Sequence, residues 1–429
     1  HGDVIEAVYQ DAAPAATRVF RARADLVPPV ISGVEVISRF GRSLASFNTD
    51  EATVSFIRYG TNALTSVATN RYWETAHELA LTNVVPNLAY RFFVVAEDRA
   101  GNRATNDNGG AYFTFTPVAP PTVVLVDDYH GDFFEVPPLS GYTMALDQIG
   151  VPYTVWPTEF NGVPTSDDLR PFRCVIWRFA EFALTSTLTA GKAQALTNYL
   201  AGGGSLLIAS MEFLSRARDD GFPSFASQWL QVQSFAEDVP APQLVGAGGE
   251  PMGNGINTAM NYAVYDDWLK ELLGWTADAS DTIVPTTNAA PVFYNGSAAV
   301  VGLRAPKTGQ DLPGRVVFLS TALDAIPLGT GVGNNRAGVL RNILNFLVPP
   351  QGNSTIVLNS DEYTVPSRVV VEIEDPDREG AGQLSATFFS PAQPGGVPVT
   401  LGETVRRGLF RGSIALVPAA SGGGGPELI

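Results

Sequence analysis

The hydrophobic pattern of this chain changes at residue 122, and that change limits the folds it can adopt. Before residue 117, apolar and polar residues alternate in short runs such as Ser43–Asn48 and Ala52–Tyr59, which is typical of strands with one buried face. After the stiff segment Pro117–Pro121, the run Thr122-Val-Val-Leu-Val-Asp127 resembles a strand buried on both faces of a parallel sheet. The sequence therefore predicts a β-sandwich followed by an α/β domain.

Residues 28–117 carry further signals for a β-sandwich. A strand is predicted over Leu88–Asp98, and a tyrosine near such a strand start, here Tyr90, commonly closes a corner by bonding upstream backbone through its hydroxyl. Asp98 and Gly101-Asn102 suit a tight turn that requires a positive φ. With the closing run Ala111–Thr116, these features resemble a fibronectin type III domain. The resemblance implies that fold for residues 28–117.

Residues 118–350 alternate between strand and helix patterns, and this alternation predicts a doubly wound, Rossmann-like open sheet. The predicted elements of its first half are the strands Val151–Trp156, Cys174–Phe179 and Ser205–Ser210 and the helices Ser140–Ile149 and Thr189–Leu200. In the second half we predict helices over Ser224–Leu230 and Asp266–Leu273, strands over Val292–Tyr294, Ala298–Arg304 and Gly314–Thr321, and a closing helix over Asn335–Leu347.

The same segment resembles a degenerate class I glutamine-amidotransferase-like domain. The motifs that carry the resemblance are "VLVDD..G", "AL...GV.YTVW", "YLAGGGSLLIAS" and the late "R.VFLS..L..IP". Active members of that fold use a cysteine on a strand-to-helix elbow with a histidine and an acid. Here Cys174 lies inside a predicted strand, and Ser210 lacks flanking glycines. We therefore predict no catalytic residue and no enzyme activity.

Polar residues nevertheless follow the first strand of this predicted sheet, where open α/β sheets place ligands. Asp127, Asp128 and Asp132, with His130 among them, could hold a divalent cation. The alternative is that these acids cap the next element and bond to loop amides. Glu181 and Glu212, each after a further strand, are candidates for the same crevice.

A second acidic segment lies in the predicted turn Glu372–Gly380. Asp375 and Asp377 could bind calcium there, since carboxylate oxygens on a loop suit a hard cation, although their spacing does not match an EF-hand. A solvated turn is the alternative. Calcium is thus the only cofactor that the sequence suggests.

The two ends of the chain read as parts of one kind of module. Thr355–Asp377, Pro398–Leu416 and the Gly-rich Ser421–Leu428 resemble an immunoglobulin-like repeat of large bacterial surface and secreted proteins. The final strands of that repeat are missing from residues 354–429, and Gly2–Ala12 matches them. The resemblance implies an incomplete immunoglobulin-like β-sandwich at residues 354–429 and terminal strands of such a module at residues 1–27.

An incomplete sandwich exposes a sheet edge that invites strand addition. We predict that residues 1–27 complete residues 354–429 of another copy, either within a covalent tandem array or by donor-strand exchange in a head-to-tail filament. The alternative is that the two ends fold back on each other within one monomer. The candidate assembly residues are the apolar ones of the first strands: Val4, Ile5, Val8, Tyr9, Val19 and Phe20.

The composition limits the classes of partner that the chain is expected to bind. The chain of 429 residues has 43 acidic and 27 basic residues, and its net charge of −16 disfavours nucleic acid and anionic lipid as partners. No apolar run is long enough to span a membrane. We expect a secreted or cell-surface structural protein that binds other copies of itself and a surface or matrix ligand. The alternative is a secreted hydrolase or a ligand- or carbohydrate-binding module that uses the acidic crevice.

Overall fold

A computed structural model describes residues 1–39, 42–130, 132, 134, 136–182, 184–307, 312–350, 352, 354–418 and 427–428. The chain divides into two compact units, His1–Pro120 and Pro121–Ile429. About 42% of the residues are in strands and 17% in helices, so the protein is β-rich, as the sequence predicted. The Gly-rich turn expected at 421–426 lies outside the described residues.

The first unit contains two sheets. Strands β1 (Val4–Ala12) and β2 (Ala15–Arg23) pair antiparallel with each other. The second sheet has six antiparallel strands: β3 (Ile31–Arg39), β4 (Arg42–Gly60), β5 (Ser66–Leu81), β6 (Tyr90–Glu97), β7 (Arg103–Asn106) and β8 (Phe113–Phe115). Its core is formed by buried side chains such as Phe47, Ile57 and Phe92.

The predicted tyrosine corner is present in this sheet. The Val85 N–H donates to the Tyr90 hydroxyl at 2.9 Å, which fixes the chain upstream of β6. At the other end of β6, Asp98 accepts hydrogen bonds from the Ala100 and Asn102 amides, and Gly101 has a φ of 89°. Both ends of this strand are therefore held by local bonds that the sequence indicated.

The second unit begins with an α/β segment built on a nine-stranded mixed sheet. Its strands and those of a small separate pair are β9 (Val123–Asp128), β10 (Tyr153–Pro157), β11 (Cys174–Phe179), β12 (Ser205–Ala209), β13 (Val232–Ala236), β14 (Gln243–Gly246), β15 (Asn257–Ala259), β16 (Thr282–Pro285), β17 (Ala290–Tyr294), β18 (Val300–Ala305) and β19 (Arg315–Leu319). The order is β10-β9-β11-β12-β19-β18-β17-β14-β15, and β13 pairs with β16. The first five strands of that order are mutually parallel, so their carboxyl ends share one edge.

Helices connect and cover these strands. They are α1 (Ser140–Ile149), α2 (Thr158–Asn161), α3 (Ser166–Leu169), α4 (Ala190–Ala201), α5 (Phe213–Asp219), α6 (Pro223–Gln228), α7 (Trp268–Leu273) and α8 (Arg336–Leu347), with 3₁₀ turns at Ala263–Tyr265, Leu323–Ala325 and Pro376–Arg378. The side chains of Thr189 and Asn335 cap the amino ends of α4 and α8. Helix α1 ends at Gly150, which has a φ of 69°.

The C-terminal segment of the second unit is a separate six-stranded sheet. Its strands are β20 (Thr355–Leu358), β21 (Ser367–Glu374), β22 (Gln383–Ser390), β23 (Gln393–Glu403), β24 (Leu409–Leu416) and β25 (Glu427–Leu428), in the order β20-β21-β24-β23-β22 with β25 beside β24. Strand β20 lies at an edge of the sheet, and all four of its residues are exposed. Two small clusters, around Val369 and Val371, form the core of this segment.

Buried arginines join this C-terminal segment to the α/β segment. Arg406, in the loop after β23, donates to the Ser205 hydroxyl at 2.6 Å and to the Leu347 carbonyl at 2.7 Å. Arg315 of β19 pairs with Glu374 of β21 at 2.6 Å. The backbone of Val405 and Arg406 also lies so close to Gly203 that a Cβ there would meet the Val405 carbonyl oxygen at 2.6 Å. The two segments thus share a packed, hydrogen-bonded interface.

Candidate functional site

Most of the candidate polar residues lie at the carboxyl edge of the parallel strands. Asp127 and Asp128 end β9, Glu181 follows β11, Ser210 and Glu212 follow β12, and Asp324 follows β19. Because parallel strands end at the same edge of a sheet, the topology gathers these residues from four separate parts of the sequence.

Asp128 is buried, and both of its carboxylate oxygens have partners. Oδ1 accepts from the Thr158 hydroxyl at 2.7 Å and lies 3.3 Å from Nε2 of His130. Oδ2 accepts from the Trp177 indole at 3.2 Å and pairs with Nζ of Lys192 at 2.6 Å. In this arrangement the ammonium group of Lys192 neutralises the carboxylate.

The Asp127 carboxylate is also neutralised by a basic side chain, that of Arg178. The Arg178 guanidinium donates to its Oδ1 at 2.8 Å and also donates to the Pro137 carbonyl. The guanidinium carbon of Arg178 lies 4.4 Å from the centroid of the Tyr129 ring, a cation–π distance. The burial of Arg178 beside Asp127 creates a compact ion pair at the edge of the sheet.

Asp132 is bonded to loop amides, as the alternative interpretation of this acidic cluster expected. Its Oδ1 accepts from the Phe134 N–H at 3.0 Å, and its Oδ2 accepts from the Phe182 N–H at 3.1 Å. The carboxylate therefore ties the loop after β9 to the loop after β11. Asp127 and Asp128, by contrast, bond mainly to side chains.

Glu181 is a buried carboxyl group of this edge with a raised pKa. Its Oε2 accepts from the Ser210 hydroxyl at 2.7 Å and from the Glu212 N–H at 3.0 Å. Burial raises the pKa of Glu181 to about 8, although these two hydrogen bonds act in the opposite direction. At neutral pH the group is therefore largely protonated. Burial also raises the pKa of Glu212.

Lys270 of α7 covers this part of the edge. Its Nζ lies 4.3 Å from the ring centroid of Phe182 and 4.8 Å from that of Phe134. Burial lowers the pKa of Lys270, while the charges of Glu181 and Asp132 raise it. The sequence interpretation did not identify Lys270, Lys192 or Arg178. The one signal in the sequence was the scarcity of lysine, since the chain has three; the burial of two of them is seen only in the structure.

A small cavity lies at this edge. The cavity lined by Asp128, His130 and Lys192, with Phe179, Ala180 and Thr185–Thr187, measures about 20 Å³, which is room for about one water molecule. Asp324, on the same edge, is buried and accepts from the Tyr265 hydroxyl at 2.5 Å. A protonated carboxyl beside a serine hydroxyl could transfer a proton.

The carboxylates of the predicted acidic turn accept hydrogen bonds from backbone amides. Asp375 Oδ1 accepts from the Asp377 N–H at 3.2 Å, and Asp377 Oδ2 accepts from the Gly352 N–H at 3.2 Å. Among the described residues, Asp127, Asp128, Asp132, Asp375 and Asp377 contribute to no group of three potential metal ligands. The group that does meet that condition is Asp25, Glu51 and Asp98 in the first unit, whose oxygens lie within 4.8 Å of one another.

The six candidate assembly residues lie on the two opposite faces of the β1–β2 hairpin. The pairing of Ala7 with Phe20 and of Val8 with Val19 fixes the register. Ile5, Tyr9 and Phe20 therefore share one face, whereas Val4, Val8 and Val19 share the other. Each face also carries an ion pair: Asp11 with Arg18 on the first face and Glu6 with Arg21 on the second. The first face is the more apolar, and its side chains are 59% (Ile5), 64% (Tyr9) and 75% (Phe20) exposed.

Comparison with known proteins gives no family. No protein-family model and no curated protein matches the chain. Among solved structures, the purple acid phosphatase PPD1 from seeds of yellow lupin (Lupinus luteus) is 12% identical with a TM-score of 0.16, over 46% of this chain and 38% of the phosphatase. A β-glucuronidase from Ruminococcus gnavus in complex with D-glucuronic acid is 12% identical with a TM-score of 0.13, over 42% of this chain and 30% of the enzyme.

A β-D-glucuronidase from Dictyoglomus thermophilum is 10% identical with a TM-score of 0.14, over 43% of this chain and 44% of the enzyme. The chain thus spans less than half of each of these three proteins, and TM-scores of this size do not indicate a shared overall fold. In the part of the chain that the structure describes, no helix combines the length and the apolar character that crossing a membrane requires.

Proposed function

We propose that this protein is a non-enzymatic structural unit of an extracellular or cell-surface assembly. In this proposal the β1–β2 hairpin of one copy adds to the C-terminal sheet of another copy, head to tail. The observation that carries it is the exposed apolar face of the hairpin, formed by Ile5, Ala7, Tyr9, Phe20 and Ala22. An isolated two-stranded hairpin is marginally stable in water, so such a face gains stability from a partner.

The C-terminal sheet supplies a suitable acceptor. Strand β20 is a short edge strand whose Ile356 and Leu358 side chains are exposed, and its outer backbone groups are available for pairing. The two core clusters of this sheet are small. Added strands would extend the ladder of hydrogen bonds and cover apolar surface, as in other cases of strand addition. A covalent tandem array and a non-covalent filament would use the same contact.

The proposed domain folds rest on the sequence resemblances, and single structural features agree with two of them. Residues 28–117 are proposed as a fibronectin type III-like sandwich, with the Tyr90 corner in support. Residues 118–350 are proposed as a Rossmann-like, amidotransferase-like domain, with five adjacent parallel strands in support. Residues 354–429 are proposed as an incomplete immunoglobulin-like sandwich that residues 1–27 of another copy complete.

The pairing of the acidic side chains at the carboxyl edge of the parallel strands agrees with a structural role for the α/β segment. Asp127 and Asp128 are neutralised by Arg178 and Lys192, and Lys270 packs over the Glu181 region. Cys174, the cysteine that the resemblance to amidotransferases draws attention to, is buried inside β11. Burial raises its thiol pKa to about 12, so it is not a nucleophile at neutral pH.

Light scattering after size exclusion, combined with negative-stain microscopy, tests the proposal. The intact protein is compared with a variant lacking residues 1–27 and with the variant F20S. The matched control is V19S, which places the same polar group on the opposite face of the same strand. We expect concentration-dependent linear polymers for the intact protein and for V19S, and monomers for the other two. Monomers in all four samples at every concentration would contradict non-covalent exchange between copies.

A further inference from the structure

A groove in the second unit lies between the α/β segment and the C-terminal sheet. It measures about 690 Å³, which is within the range of sites for small ligands. It lies at the amino ends of the parallel strands, away from the acidic edge. Its walls are formed by Ser166, Arg170, Phe172, Arg173, Asn198, Tyr199, Ala201–Gly204, Leu347, Glu379 and Val405–Arg407.

The charge of this groove is opposite to that of the whole protein. Four arginines and one glutamate line it, although the chain carries 43 acidic and 27 basic residues. Low-dielectric walls that carry charges of one sign concentrate the electrostatic field in a cleft and attract ions of the other sign. The groove would therefore attract an anion, whereas the net negative charge of the whole protein repels it.

The buried charge below the groove is not fully neutralised. Arg315 and Arg406 share one carboxylate, Glu374, which pairs with Arg315 at 2.6 Å and with Arg406 at 3.4 Å. The burial of Arg406 lowers its pKa to about 9, and the charge of Arg315 acts in the same direction. A negative charge in the groove would stabilise the protonated Arg406.

Two arginines at the mouth of the groove are available to a ligand. Arg407 is exposed, and its charge acts on the nearby Glu403 carboxylate, which itself accepts hydrogen bonds from three glycine amides. Within the described part of the chain, the Arg173 side chain makes one long ion-pair contact, 3.4 Å to Glu379. Guanidinium groups bind carboxylates and sulfates through paired N–H donors. Asn198 and Ser166 add neutral groups that can bond to hydroxyls.

We propose that this groove binds an acidic oligosaccharide, that is, a sugar chain bearing carboxylate or sulfate groups. The arginines would bind the anionic groups, and Asn198 and Ser166 would bind the hydroxyls. The aromatic residues of the groove, Phe172 and Tyr199, are buried, so an apolar ligand would find little surface to cover. The site goes beyond the proposed assembly role and does not depend on strand exchange.

Isothermal titration calorimetry on the full chain tests this site, with four ligands at low salt. These are an oligomer of galacturonic acid, a heparin-derived oligosaccharide, an uncharged maltose oligomer and an oligomer of glutamic acid. The test variants are R407A and R173A. The control is R341A, which removes an exposed arginine outside the groove. Circular dichroism verifies that each variant is folded.

We expect one or both of the acidic sugars to bind, and the stronger of the two identifies carboxylate or sulfate as the preferred group. R407A and R173A should each raise the Kd about tenfold, which is the scale of one lost charged hydrogen bond, and R341A should change it less than twofold. High salt should weaken binding. The proposal is wrong if neither acidic sugar binds, if the groove variants bind as the control does, or if the glutamate oligomer binds as tightly as the sugars.

Discussion

Arg315 of β19 donates to Glu374 of β21 at 2.6 Å, and this buried pair links the α/β sheet to the C-terminal sheet. Arg406 approaches the same carboxylate from the loop after β23. Both arginines also donate to backbone carbonyl oxygens near the end of α8, those of Phe346 and Leu347. The interface is thus organised around one carboxylate and two guanidinium groups.

Removal of that carboxylate should destabilise the second unit more than removal of either arginine. The substitution E374A leaves two buried cations without a counter-charge, and we expect a loss of about 3–5 kcal/mol in the free energy of unfolding. R406A leaves Glu374 paired with Arg315, so its effect should be smaller. Urea unfolding monitored by tryptophan fluorescence measures both changes.

The exposed pair Arg170–Asp167 provides the control for this comparison. R170A should change the unfolding free energy by less than about 1 kcal/mol, since exposed ion pairs contribute little. Equal effects of E374A and R170A would show that the charge cluster does not stabilise the interface.

The sequence predicted those elements whose own residues determine them. Helix α1 and strand β11 occupy the predicted ranges, Ser140–Ile149 and Cys174–Phe179, because their apolar pattern and end signals are local. Strand β4 was predicted as two short runs. In the structure it is one strand from Arg42 to Gly60. Its pairing with β5 is irregular between Asn48 and Thr53, and this irregularity interrupts the alternation of apolar and polar residues without ending the strand.

Glu181 should make the stability of the second unit depend on pH. Its pKa is about 8 in the folded protein and near 4.5 when exposed, so the folded state binds the extra proton between these values. The stability contributed by this protonation is present below pH 4.5 and is lost as the pH rises to 8. E181Q, which stays neutral, should flatten the decline in unfolding free energy between pH 5 and 8.

Asp281 contributes a slope of the same sign, because burial raises its pKa to about 8 as well. E181Q should therefore remove part of the slope, and E181Q combined with D281N should remove more. Urea unfolding at several pH values measures each slope. An unchanged slope in the double variant would contradict the protonated state of these carboxyl groups.

Cys174 should be unreactive in the folded protein. Its side chain is buried in β11 and its thiol pKa is raised to about 12, so neither access nor thiolate is available at pH 8. We expect no labelling by iodoacetamide in buffer and complete labelling in urea, as measured by mass spectrometry. Rapid labelling of the native protein would show that the Cys174 thiol is accessible and reactive, and would contradict this prediction.

His77 should be protonated less readily in the folded protein than an exposed histidine is. It stacks on Phe47, with ring centroids 4.6 Å apart, and Ser55 and Thr53 bond to its two nitrogens at 3.0 Å. Burial lowers its pKa below 6.5, so the stability contributed by the neutral ring is present above that pH and is lost as the pH falls. Side-chain ¹⁵N chemical shifts between pH 5 and 8 measure this directly, and full protonation at pH 6 would contradict it.

The candidate site illustrates which features the sequence could not reveal. Asp127 and Asp128 were identified from their position after a strand, but their partners Arg178 and Lys192 lie 51 and 64 residues further along the chain. Only the parallel order β9-β11-β12 brings those residues together. The same limit applies to the hairpin: its six apolar residues were visible in the sequence, whereas their division between two faces required the register.

Hydrogen–deuterium exchange at the β20 edge tests strand donation most directly. The amides of Thr355–Leu358 are followed in the intact protein and in F20S, each at low and high protein concentration. Strand donation predicts that these amides exchange more slowly as the concentration of the intact protein rises, together with those of Val4–Tyr9, and that F20S shows no such change. Exchange rates that are equal in both proteins at every concentration would contradict non-covalent pairing of the hairpin with this edge.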